Sequence, residues 1–128
     1  IGIIAAIAIP QYQEYVVRAR ISEGFALSSS VQRAIEAAHA RGLRPGQLPA
    51  NPAELGLNAP ETYSGIYVQS VSHNTQGQVT IVLSRHPSLG KQAGGTVVLA
   101  PLVEGDKLHW KASPDGSVPK RYLPLSYR

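Results

Sequence analysis

The chain has 128 residues, enough for one domain with a single buried core. It contains no cysteine, which excludes a disulfide framework and a thiolate metal site. Twelve Lys or Arg against eight Asp or Glu leave a net charge of +4. That mild excess suits contact with anionic surfaces or nucleic acid, and equally a solvated shell with no partner.

Residues Ile1, Gly2, Ile3, Ile4, Ala5, Ala6, Ile7, Ala8 and Ile9 form an unbroken apolar run. A membrane span needs about 20 such residues, so the run reads as the stub of a longer apolar helix or as a segment buried in protein. Left exposed, it would be an aggregation liability, and a partner is expected. Methionine is absent even at position 1, so residues are expected to have been lost ahead of Ile1. Pro10 follows at once, and a proline inside a helix removes one backbone bond and crowds the preceding turn. Gly2 and Pro10 together mark a stretch able to lose helical order locally.

From Gln11 to about Arg41 the pattern is helical. Val17, Ile21, Gly24, Ser28, Val31, Ile35 and Ala38 recur at spacings of four and three, which makes one stripe. Phe25, Leu27 and Ala34 widen it. Gly42 is a natural stop, and Pro45 keeps the helix from resuming. The segment 42–64 is loop-like, with one helical turn expected at Pro52–Leu55 under an Asn51 cap.

Beyond it the period becomes two. Ile66, Val68 and the following residues alternate to His73; a turn is expected at Asn74–Gly77; Val79, Ile81 and Leu83 alternate next. The stretch 86–95 is a loop, Thr96–Val103 a third strand, Glu104–Asp106 a tight turn and Lys107–Ala112 a fourth strand. Short hairpins imply an antiparallel sheet. The expected fold class is α+β: a helical segment 1–41, a loop 42–64, a four-stranded antiparallel sheet within 65–112 and an irregular tail 113–128, all in one globular unit. Within the helix, 1–10 is an apolar segment and 11–41 an amphipathic half. Only the amphipathic stripe is large enough to cover the sheet, so the first part of the helix is left for other molecules. Repeated head-to-tail donation of such a helix builds a filament.

Hidden chemistry finds no support. His39, His73, His86 and His109 sit on different expected elements, none at a metal-ligand spacing. Ser28–Ser30 lacks a nucleophile-elbow context. Glu61, Glu104, Asp106 and Asp115 fall in turn-like stretches where carboxylates cap and solvate. No Gly-rich phosphate loop occurs. No enzyme activity, cofactor, metal or small-molecule substrate is therefore expected. Lys107, Lys111, Lys120, Arg121 and Arg128, with Arg41, Arg44 and Lys91, could form a basic surface, with Tyr122 and Tyr127 as stacking faces. Weak DNA binding is the partner expected of such a surface, and a scattered solvated shell is the competing reading.

The segment Gly2–Gly24, GIIAAIAIPQYQEYVVRARISEG, resembles the N-terminal helix of type IV pilins of the first subclass. The family's motif extends upstream into a leader-cleavage site, a methylated phenylalanine and a glutamate, none of which is in this sequence. The resemblance therefore implies residues ahead of Ile1. His109–Arg128, HWKASPDGSVPKRYLPLSYR, resembles the family's closing loop, which two cysteines normally bracket. Ala112 and Tyr127 stand at what look like those two positions. The resemblance implies a subunit of a homo-oligomeric helical filament on the bacterial surface, assembled from the inner membrane. Ile1–Ile9 would lie in the filament core, and adhesion, twitching motility and DNA uptake would be its activities. A minor pilin that binds DNA or another ligand is the alternative; a secretion-system pseudopilin is a third, weakened by the absence of an acidic calcium-ligand cluster. Lacking the disulfide, the tail should be held by Trp110, Tyr122, Leu123, Leu125 and Tyr127, with Pro119 and Pro124 limiting unfolded freedom.

Overall fold

The computed structural model describes the backbone of residues 2–128 and the side chains of residues 13–128. Its first element, α1, runs Gly2–Ala40, through Pro10. The side chains of Ile1–Ile9 and of Pro10 lie outside the described residues. Among the described residues, no helix is long and apolar enough to cross a membrane.

The seven stripe residues from Val17 to Ala38 are all buried. Ser28 can occupy a buried position because its hydroxyl donates to the Phe25 carbonyl at 2.9 Å and accepts from Gln32 Nε2 at 3.0 Å. Gly24 marks the closest approach of helix to sheet: a Cβ there would stand 2.8 Å from Ile81 Cγ2 and 3.3 Å from Val68 Cγ2. The helix stops one residue earlier than its pattern suggests. Gly42 takes a φ of 96°; its N–H bonds to the His39 carbonyl, and the Leu43 N–H reaches back to that of Ala38. That paired closure is a Schellman motif, which needs a left-handed residue in the place where Gly42 sits.

Four strands follow: β1 Val68–His73, β2 Val79–Leu83, β3 Thr96–Glu104 and β4 Lys107–Ala112. They pair in chain order as an antiparallel meander, β1-β2-β3-β4. One face lies on α1. Val79, Ile81 and Leu83 alternate inward along β2, as do Val97 and Leu99 along β3. Together with α1 they enclose the core, closed by Trp110 on β4 and by Val118 and Leu123 in the tail.

Three departures from the sequence pattern have local causes. The alternation expected from Ile66 fails, because β1 starts only at Val68 and carries a bulge between Val68 and Ser70. The extra residue shifts the inward face, so Val68 and Val71, three apart, are both buried. Ile66 is 65% exposed in a turn that the Gly65 N–H closes on the Val68 carbonyl. Next, β3 gains Glu104, which pairs with Lys107 and leaves Gly105–Asp106 as a two-residue turn. The 86–95 loop also contains a 3₁₀ segment, Pro87–Gln92, kinked at Gly90, and it buries Leu89 completely.

The loop between helix and sheet follows expectation. Pro52–Leu55 forms one 3₁₀ turn, and the Asn51 side chain accepts from the Ala53 N–H at 3.0 Å. A second turn, Pro60–Thr62, was not expected from the composition.

Candidate functional site

Two parts of the fold bear on what the chain can do: the N-terminal end of α1, and the tail that closes the sheet. The core residues that α1 supplies begin at Val17. At about 1.5 Å of rise per residue, about 22 Å of helix from Gly2 precedes that point. Tyr15, just before it, is 68% exposed.

The tail is tied to both helix and sheet. The Ser113 N–H bonds to the Val98 carbonyl at 2.7 Å, and that of Val118 to the Thr96 carbonyl at 3.1 Å. Leu123 is fully packed in the core. The Tyr127 ring lies 4.7 Å from the Phe25 ring, tilted by 44°, and its hydroxyl is 3.5 Å from Gln32 Nε2. Trp110 Nε1–H donates to the Glu36 carboxylate at 2.8 Å, binding β4 to α1. Of the five residues expected to hold the tail, Trp110, Tyr122, Leu123 and Tyr127 pack on the core. Leu125 does not; it is 79% exposed, on the outer side of the last 3₁₀ turn.

Sequence reasoning missed three further anchors. Arg18 Nε–H donates to the Arg121 carbonyl at 2.9 Å. Arg128 donates to the carbonyls of Leu123 and Arg121 at 2.9 and 3.1 Å. Such charge-assisted bonds to backbone are stronger than neutral ones, yet nothing in the spacing of these arginines reveals them. Val118 is the third, legible only as one apolar residue in a Pro- and Ser-rich stretch.

Ala112 ends β4 and Tyr127 lies in the last 3₁₀ turn; both pack against the core, and the two elements touch. Beside them, Lys111 Nζ reaches the Arg128 carbonyl at 3.4 Å. Replacing Trp110 by Phe should cost about 2 kcal/mol, because one hydrogen bond to a charged carboxylate is lost while Glu36 stays solvated. Chemical denaturation checks this value; a loss above about 3 kcal/mol would show that the ring packing dominates.

The basic residues do not form one stripe. Lys107 and Lys111 share the outward face of β4 with His109. Lys120 and Arg121 are exposed on the tail, with the Arg121 guanidinium 4.9 Å over the Tyr122 ring. Arg128 is turned inward by its two backbone bonds. Instead, the fold brings Arg121 together with Arg20 and Lys91 along a groove of about 650 Å³ between α1, the Pro87–Gln92 segment and the tail.

The histidines lie apart. His39 is buried in the last turn of α1, its Nδ1 without a partner among the described residues. His73 Nε2 is 2.8 Å from the Pro49 carbonyl. His86 Nδ1 accepts from the Ser88 N–H at 3.1 Å, with the ring edge-on to Tyr67. His109 pairs with exposed Glu104. Among the described residues, no three His, Cys, Asp or Glu come close enough to hold a metal ion.

A long N-terminal helix, packed over its second half on a four-stranded antiparallel meander and closed by an anchored tail, is the architecture of a pilin-type filament subunit. A family model described as pilin (bacterial filament) matches residues 17–128. The fimbrial protein EcpC of Eikenella corrodens is 33% identical over 131 residues, covering all of this chain and 81% of that protein. The fimbrial protein of Neisseria meningitidis serogroup A is 31% identical, covering 92% of this chain and 61% of its own length. The type IV major pilin PilE of Neisseria gonorrhoeae is 29% identical, covering 92% and 62%. The chain therefore spans about three-fifths of the length of the neisserial relatives. It belongs to the pilin family of bacterial filament subunits, among the type IV pilins.

Proposed function

We infer that this chain is the bulk structural subunit of a type IV pilus, serving surface adhesion, twitching motility and DNA uptake. The observation that carries this reading is the division of α1. Its stripe from Val17 to Ala38 is used up in the chain's own core, while the apolar residues Gly2–Ile9 precede it on the same element. Buried among neighbouring helices, such a run contributes several kcal/mol per subunit at about 25 cal/mol per Å². In the filament, the stretch from Gly2 to Pro10 extends or melts so that neighbours can pack, with Gly2 and Pro10 as the breaking points. Before assembly the helix is held in the inner membrane.

The test is electron microscopy of filaments sheared from producing cells, with mass spectrometry of that fraction. This sequence should dominate uniform thin fibres, and the map should show a break within residues 2–10. An unbroken helix there removes the melting mechanism. A trace amount of this chain in fibres built by another protein removes the bulk-subunit reading.

A second reading, a minor pilin that captures DNA, draws on the outward lysines of β4, Lys107 and Lys111. Its signature is binding to duplex DNA that falls steeply with salt, since each neutralised phosphate releases counterions.

A further inference from the structure

Charge is unevenly divided along the chain. Between Arg44 and Arg85 there is no Lys or Arg, and the acids are Glu54 and Glu61. From Arg85 to Arg128 there are seven Lys or Arg against three Asp or Glu. The fold turns this into geometry. Glu54 and Glu61 are both exposed on the loop that flanks the β1 side of the sheet, whereas the tail flanks β4.

That loop is stiff. Pro52 and Pro60 each open a 3₁₀ turn, the Asn51 side chain caps the first, and the Asn58 N–H donates to the Tyr63 hydroxyl at 3.1 Å. It thus presents its two carboxylates with little ordering entropy left to lose. Neither carboxylate has a cation within salt-bridge distance among the described residues.

The groove beside α1 has the complementary character. Arg20, Lys91 and Arg121 line it, and none is paired with a carboxylate among the described residues. Glu14, also on the groove, is engaged by Arg18 at 3.3 Å. Arg20 is fixed in place, donating to the Ser88 carbonyl at 2.9 Å. Val16 and Tyr122, both half-buried, add apolar surface to it, suited to a loop whose leucines, Leu55 and Leu57, are only partly buried. The other acidic feature, the Glu104–Asp106 turn, carries a cation beside it, since Glu104 pairs in register with Lys107 across the hairpin.

We propose that the groove lined by Arg20, Lys91 and Arg121 receives the acidic loop 51–62 of a second copy of this chain. The contact is heterologous, loop onto groove, so each copy keeps one unused half for the next, and the assembly grows without closing. It rests on the filament reading above and specifies how the globular parts of adjacent subunits recognise one another. Opposed charges of this kind set register and suppress wrong partners more than they add affinity.

The chain's lack of cysteine makes the test direct. Cysteine is placed at Glu54 or Glu61 together with Lys91 or Arg121, in the full chain in its producing cells, giving four pairings. Sheared fibres are then oxidised and run on a non-reducing gel. At least one pairing should give a ladder of covalently linked copies, and the single variants should not. Charge reversal supplies the second measurement. Glu54→Lys with Glu61→Lys, and separately Lys91→Glu with Arg121→Glu, should each lower fibre yield by about fivefold or more, and combining all four should restore it. Intact fibres with no ladder from any pairing, or a combined variant no better than either parent, would overturn the contact while leaving the filament reading standing. Fibres that lack this chain overturn both. A groove reversal that changes only DNA retention, with yield intact, overturns the contact and assigns the cations to a polyanion.

Discussion

Gly24→Leu should destabilise the fold by about 3 kcal/mol, because added side-chain volume in a tight core forces backbone shifts or off-rotamer packing. The reason is local. A Cβ at position 24 already falls 2.8 Å from Ile81 Cγ2, a branched methyl on the central part of β2 with no room to move. Ile81, Val68 and their neighbours on the sheet are completely buried, so the helix has to lift away. For a domain of this size, that loss lowers the thermal midpoint by about 10 °C. Gly24→Ala should show a much smaller net change, since the clash of one methyl is offset by the roughly 1 kcal/mol that alanine gains over glycine inside a helix. Circular dichroism melts of the two variants decide the matter. If the leucine variant melts with the wild type, the close approach of α1 to β2 is not what sets the helix–sheet distance.

The second large effect concerns the tail. With Ala112→Cys and Tyr127→Cys together, oxidised and reduced forms should differ by about 3 kcal/mol, the chain-entropy value for closing a loop of about 15 residues. The sign against wild type is another matter. Tyr127 is stacked on Phe25 and reaches Gln32, and its truncation costs about 2–3 kcal/mol, near the lower end for a large aromatic because the ring is only partly buried. The reduced double variant should therefore be clearly less stable than wild type, and the oxidised one about equal to it. Aromatic packing here thus does much of what a covalent link would do. The readouts are a gel-mobility shift that reductant abolishes, melting with and without reductant, and limited proteolysis of residues 113–128. Wild-type protein should lose its tail to protease sooner than the oxidised variant. Failure to form the bond would show that Ala112 and Tyr127 are not the equivalents of the bracketing cysteines.

Much of the fold was readable from periodicity. The buried stripe of α1, the Gly42 stop, the Asn51-capped turn and the strands β2 and β4 are set by neighbours within a few residues, through side-chain spacing and backbone sterics. The same holds for the 3.6-to-2 change of period that makes the fold α+β. The bulge in β1 was not readable, because it depends on pairing with β2, which no local pattern reports. Nor was the complete burial of Leu89, which follows from where the 86–95 loop comes to rest.

For the surfaces that matter to function, the division has the same cause. The sequence by itself determined that an apolar run precedes an amphipathic stripe on one helix, that no cysteine ties the tail, and that the basic residues concentrate toward the C-terminus. Only the tertiary structure decided which of those cations meet. Arg20, Lys91 and Arg121 are separated by long stretches of chain and share a groove solely because the Pro87–Gln92 segment and the tail both fold against α1. Arg128 and Leu125, adjacent in any list of tail residues, were sent in opposite directions, one tied inward to two carbonyls and the other left exposed. Such outcomes depend on long-range packing and on hydrogen bonds between segments tens of residues apart, which spacing along the chain does not encode.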